Sequence, residues 1–147
     1  KNTIILLSND TFFINSQRAL ITKTTGMQSK IFKTPEEVHS KLNKKNYTHC
    51  VGVIIYYPEL ELHCLLDMFQ QFRINLNVKL LDKINFVLVL SRKKVYYLDQ
   101  DYSFQSLTNL HLTYAPIHAK KLKFIFFILS PAIILLHIFL LTSTYFL

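Results

Sequence analysis

Glycine is nearly missing from this 147-residue chain. Gly26 and Gly52 are the only two, so no glycine-rich loop of the dinucleotide-binding or P-loop kind can be assembled. Cysteine is as scarce: Cys50 and Cys64 are too few for the disulfide framework of a small secreted domain and point to a reducing compartment. There is no tryptophan, and 9 acidic side chains face 17 Lys and Arg, a formal net charge of +8. No GxSxG elbow or other catalytic signature is present, and the nearest thing to a nucleophile, Cys64, has no argued base partner. The expectation is a protein that is not an enzyme, with no cofactor and no small-molecule substrate.

One metal pattern needs a test. His49-Cys50 and His63-Cys64 have the residue types of a four-ligand zinc set. The first pair, however, opens a strand and the second lies on the helix beyond its other end. Seven strand residues at about 3.3 Å each separate the pairs by some 20 Å, against metal-to-ligand distances of about 2 Å.

What the chain does have is apolar mass, 50% hydrophobic and 14% aromatic, which excludes a disordered class and predicts a folded head. From Phe124 to Leu147 no Asp, Glu, Lys or Arg occurs. About 24 residues at about 1.5 Å rise give about 36 Å, enough to cross a hydrocarbon core with some tilt. Pro131 is expected to kink this helix, Ser130 to help satisfy the freed carbonyl, and His137 is its one ionisable group. Lys120, Lys121 and Lys123 stand just before the run, as membrane-flanking residues, and nothing charged follows it. The positive-inside rule then places the N-terminal head in the cytoplasm of a single-pass protein. Thr3 to Leu7 is shorter than the apolar region of a secretory signal. The expected organisation is one domain over 1–119 and juxtamembrane lysines plus a transmembrane helix over 120–147.

Within the head, Thr3 to Ser8 reads as a buried strand that ends at Asn9-Asp10. Phe12 to Thr24 carries Phe13, Leu20 and Ile21 on one helical face, with the polar Gln17 interrupting it. Ser29 to Phe32 is a short strand, and Thr34-Pro35-Glu36-Glu37 is a capping box with proline at the first helical position. That helix should run to about Lys44, with Val38 and Leu42 inward, and end at Asn46. Cys50 to Tyr56 is rich in β-branched residues and apolar on both faces, a central strand. Leu60 to Arg73 is an amphipathic helix through Leu62, Leu65, Leu66, Phe69 and Phe72. Asn85 to Leu90 and Leu110 to Tyr114 are further strands, with a short helix near Phe104 between them. Alternating strands and helices predict an α/β fold, a doubly wound five-stranded parallel sheet of the flavodoxin-like kind.

The segments IILLSNDTFFINSQRALI, TPEEV, VGVIIYYPEL and FVLVLS resemble, in this order, the first strand and helix, the second helix, the third strand and the fourth strand of response-regulator receiver domains of the LuxR/FixJ type. The resemblance covers roughly residues 3 to 122. It implies a magnesium site at an acidic pair closing the first strand, but Asn9-Asp10 has one amide where a carboxylate is expected. It implies a phosphoacceptor aspartate near the end of the third strand, yet Val51 to Tyr57 contains no acidic residue. Ser91 matches the switch hydroxyl; the lysine of the fifth strand is replaced by Tyr114-Ala115-Pro116. The family's DNA-binding helix-turn-helix finds no counterpart after Leu107. The resemblance therefore implies a degenerate receiver, a pseudo-receiver, with a vestigial pocket at Asn9, Asp10 and Ser91, whose bland alternative role for Asp10 and Ser91 is helix capping.

Two functional readings follow. In the first, a non-enzymatic regulatory protein at a bacterial inner membrane binds a protein partner through its receiver-like head, a transcription regulator or a second copy. In the second, a membrane-tethered regulator binds DNA through Lys41 to Lys45 and an anion-binding run at Arg92, Lys93 and Lys94. A remnant of a LuxR-type regulator with an accidental apolar tail, and a small membrane subunit whose head docks on a larger complex, are further alternatives.

Overall fold

The computed structural model describes residues 2–43, 49–91 and 109–128. Thr3–Ser8 forms strand β1, and Thr11–Thr25 forms helix α1. Asp10 caps this helix by accepting a hydrogen bond from the Phe13 amide, and Gly26 terminates it at φ 69°, a left-handed conformation that suits a residue without Cβ. Strand β2 is Gln28–Phe32 and helix α2 is Pro35–Leu42, opened by Thr34 and Pro35 as the capping box predicts. Strand β3, Cys50–Tyr56, is followed by α3, Leu62–Asn75, and by a short α4, Val78–Leu81. Strands β4, Asn85–Leu90, and β5, Leu110–Tyr114, complete the sheet. Helix α5, Ala119–Lys123, runs directly into a π-helical turn, Phe124–Ile128.

The five strands form one parallel sheet in the order β2-β1-β3-β4-β5. This is the doubly wound flavodoxin-like arrangement, with helices on both faces. Alternate residues of the inner strands serve opposite layers, which is why these strands read as continuous apolar runs. Ile4, Leu6, Ile54, Val87 and Val89 pack with Phe13 and Ile21 of α1 and with Leu122 and Ile125. Ile5, Leu7, Val53, Ile55, Phe86 and Leu88 pack with Val38 and Leu42 of α2 and Leu65, Phe69 and Phe72 of α3.

Some expectations are corrected. Gln17 does not interrupt the inward face of α1: it is only 2% exposed, and its amide reaches toward the Ile117 carbonyl at 3.5 Å. Helix α3 begins at Leu62 and not Leu60, because Leu60 closes a turn onto the Tyr57 carbonyl, and it extends to Asn75. Helix α2 stops at Leu42, with Asn43 as its cap, two residues before Lys44. The one-turn α4 has no sequence signal. The helix expected near Phe104 and the end of α2 expected at Asn46 lie outside the described residues.

Residues 120–126, assigned from sequence to the juxtamembrane lysines and the start of the span, contribute to the core of the domain. Leu122 and Ile125 are fully buried, and Phe126 packs on the same layer. A Cβ on Gly52 would run into the Phe126 ring at Cε1, so glycine in β3 provides the notch that seats it. Among the described residues no helix is long and apolar enough to cross a membrane. Residues 129–147, the remainder of the apolar run, are outside the described residues.

Candidate functional site

In an open parallel sheet the carboxyl ends of the strands and the loops after them form the natural site. Here that rim is built by residues just past β1, β3, β4 and β5. Ser8, fully buried, closes β1 and ties it to β3: its hydroxyl donates to the Tyr56 carbonyl at 2.5 Å and accepts the Asp10 amide at 3.1 Å. The same register pairs Ser8 with Tyr56 across the sheet. Asp10 is thereby held with one carboxylate oxygen 2.7 Å from the Phe13 amide, as the α1 cap. Its role as a cap, anticipated as the bland reading, is what the structure displays.

Asn9, exposed, donates through Nδ2 to Glu59 Oε1 at 2.8 Å, bridging the loop after β1 to the loop after β3. Tyr56 occupies the last position of β3, with its ring 4.2 Å from that of Phe13 at a 34° tilt. Burial raises the pKa of this phenol, and the carboxylates of Asp10 and Glu59 raise it further. The neighbouring Tyr57 points to the other face and donates to the Lys33 carbonyl at 2.6 Å. Its phenol is also held neutral, by burial first and then by Glu59, Glu36 and Glu37.

Ser91 lies one residue beyond β4, half-buried at the same rim. Strand β3 stands between β1 and β4, so Ser91 and the Asn9-Asp10 pair are about 10 Å apart across the sheet. At β5 the backbone turns through Ala115, whose amide donates to the Leu90 carbonyl, into a cis Ala115-Pro116 peptide. Arg92, Lys93 and Lys94 lie outside the described residues. Lys120, Lys121 and Lys123 are exposed along α5; Lys121 lies over the Phe124 ring at 5.9 Å. Lys121 also contributes, after burial, to lowering the pKa of His111 on β5.

A hard divalent cation at this rim would find two carboxylates, Asp10 and Glu59. Each already accepts a hydrogen bond, and β3 supplies no third. Among the described residues no group of three or more His, Cys, Asp or Glu is placed to hold a metal ion. The residues present therefore do not fit the magnesium site that the receiver resemblance implies. Sequence reasoning identified Asn9, Asp10 and Ser91 but missed Ser8, Tyr56 and Glu59. Ser8 and Tyr56 are read from sequence only as ends of apolar runs. The pairing of Asn9 with Glu59 spans 50 residues and depends on β1 and β3 being adjacent.

No protein-family model and no curated protein matches the sequence. Among solved structures, the chain is similar to a two-component response regulator from Legionella pneumophila, with a TM-score of 0.63 at 18% identity, over 87% of this chain and 97% of that one. It is also similar to a protein described as pilus assembly-related from Burkholderia pseudomallei, with a TM-score of 0.58 at 11% identity, over 82% of this chain and 83% of that one. At these identities the likeness concerns the fold alone, a flavodoxin-like, receiver-like one.

Proposed function

We propose that this chain is a non-enzymatic signalling or regulatory protein, a receiver-like domain that does not accept phosphate and acts by binding a protein partner while held at a membrane. The observation that carries the reading is the end of β3. Tyr56 stands where the receiver resemblance expects the phosphoacceptor, with its phenol kept neutral beside Asp10 and Glu59. A neutral phenol is a poor nucleophile toward an acyl or phosphoramidate donor, and two engaged carboxylates give little charge to hold the metal that would neutralise a phosphoryl group. The five-stranded receiver-like sheet with its flanking helices supports recognition of a partner as the role.

The membrane part of the reading rests on sequence: an uncharged run from Phe124 to Leu147 preceded by Lys120, Lys121 and Lys123. The test is membrane fractionation of the chain, followed by crosslinked capture of bound protein and DNA with and without acetyl phosphate. The reading expects carbonate-resistant membrane association and the same captured protein in both conditions. Capture of DNA with a steep salt dependence would favour the membrane-tethered DNA-binding alternative. A chain found only in aggregates that captures nothing would favour the remnant.

A further inference from the structure

Parallel strands with helices returning against them gather all strand starts and helix C-termini at one end of the molecule. At this amino pole lie Lys23 in the last turn of α1, Lys41 in that of α2 and Arg73 in that of α3. Lys79 in α4 and Lys83 just before β4 lie there too. All five are exposed, and among the described residues the carboxylate beside them is Asp82. Among the described residues, the opposite pole carries Asp10, Glu36, Glu37, Glu59 and Glu61, with Lys33 and Lys120. Arg18, Lys30, Asp67 and Lys121 lie between the two.

Cations at helix C-termini offset the negative end of the helix dipole, and that alone accounts for several of these positions. It does not account for two aliphatic side chains at the same pole. Ile74 is 72% and Val78 70% exposed, on either side of Leu76, which is buried and fixes the backbone between them. Phe124, 42% exposed, opens the π-helical turn after α5, with the Lys121 ammonium over its ring. The C-terminal segment also heads to this end. The Ile125 carbonyl accepts from Asn85 Nδ2 at the first residue of β4, and Phe126 fills the notch at Gly52 near the start of β3.

We propose that the amino pole of the sheet, where Ile74 and Val78 are exposed among Arg73, Lys79 and Lys83, lies on an anionic lipid surface and turns the carboxyl pole toward water. The proposal rests on the membrane-held reading above and specifies the orientation of the domain on the bilayer. A nucleic acid would be held by the cations but gains nothing from exposed Ile74 and Val78. An anionic bilayer uses both, headgroup phosphates for the cations and the acyl boundary for the aliphatic pair. Each cation near such a surface strengthens partitioning about fivefold.

The test is spin-label accessibility on the full chain in nanodiscs of phosphatidylcholine alone or doped with phosphatidylglycerol. A nitroxide is placed at Val78→Cys or Glu37→Cys in a Cys64→Ser background. The label at position 78 is expected to collide with membrane-dissolved oxygen in anionic discs and with an aqueous nickel chelate in neutral ones. The label at position 37 is expected to meet the nickel chelate in both. Reversing Arg73, Lys79 and Lys83 to Glu, at exposed sites with the fold checked by circular dichroism, should return position 78 to water. Position 78 remaining in water in anionic discs, or becoming protected by duplex DNA and not by lipid, overturns the proposal. Co-elution with neutral discs separately reads the membrane anchor. If that fails, retention on anionic discs with a roughly hundredfold loss on triple reversal still upholds the surface, and no retention overturns it.

Discussion

At the residue scale, the two glycines have different physical roles. Gly26 is required by its backbone, at φ 69° in the αL region that ends α1. Gly52 is required by its neighbour, because the Phe126 ring occupies the space of a side chain. A methyl at this point forces either β3 or Phe126 to move, and overpacking of a buried sheet surface costs about 1–3 kcal/mol. Gly52→Ala is therefore expected to destabilise the chain by that amount, measured by chemical denaturation in detergent micelles. In a Phe126→Ala background the same substitution should be nearly neutral, since the clash is gone, and a coupling close to zero would show that the notch does not hold Phe126. Cys50 shows the opposite case, a residue with reactive chemistry and no reactive setting. It is 3% exposed at the start of β3, and burial raises its thiol pKa to about 12.

At the element scale, local rules and tertiary context divide the work. The capping box opens α2 as the sequence predicts: the Thr34 hydroxyl accepts the Glu37 amide at 3.4 Å, and Pro35 takes the first helical position. Thr34→Ala removes that acceptor and is expected to lower stability by about 0.5–2 kcal/mol, read from the denaturation midpoint, with Thr34→Ser close to wild type. The bounds of β1 and β4 were legible because burial on both faces leaves an apolar run closed by polar residues. The inward face of α1 was not read as unbroken, because a buried glutamine cannot be told from an exposed one by periodicity. Gln17 is accommodated by the Ile117 carbonyl, from the chain that leads into α5 one hundred residues later. The one-turn α4 left no trace for the same kind of reason, since four residues make too short a window for a period.

At the scale of the whole molecule, the fold follows from alternation and the site from adjacency. The strand order brings β1 next to β3, and this places Asn9 against Glu59 and Ser8 against the Tyr56 carbonyl. The absence of a carboxylate on β3 was visible in the sequence. What fills the place was not: a half-buried phenol leaning on Phe13 between two carboxylates. The structure also shows that the first residues of the apolar C-terminal run are core residues of the domain, which periodicity and charge counting cannot distinguish from the start of a span. Among the described residues, the starts of the strands carry basic side chains beside the exposed aliphatic Ile74 and Val78, while the carboxylates Asp10, Glu36, Glu37, Glu59 and Glu61 lie toward the other end.

The proposed loss of phosphotransfer on a receiver-like scaffold is tested most directly by the intact mass of the chain after incubation with acetyl phosphate and magnesium. The mass is expected to stay that of the unmodified chain. A phosphoryl adduct on Asp10, Glu59 or Tyr56 of the wild-type chain, lost on acid or base treatment according to its linkage, would contradict it.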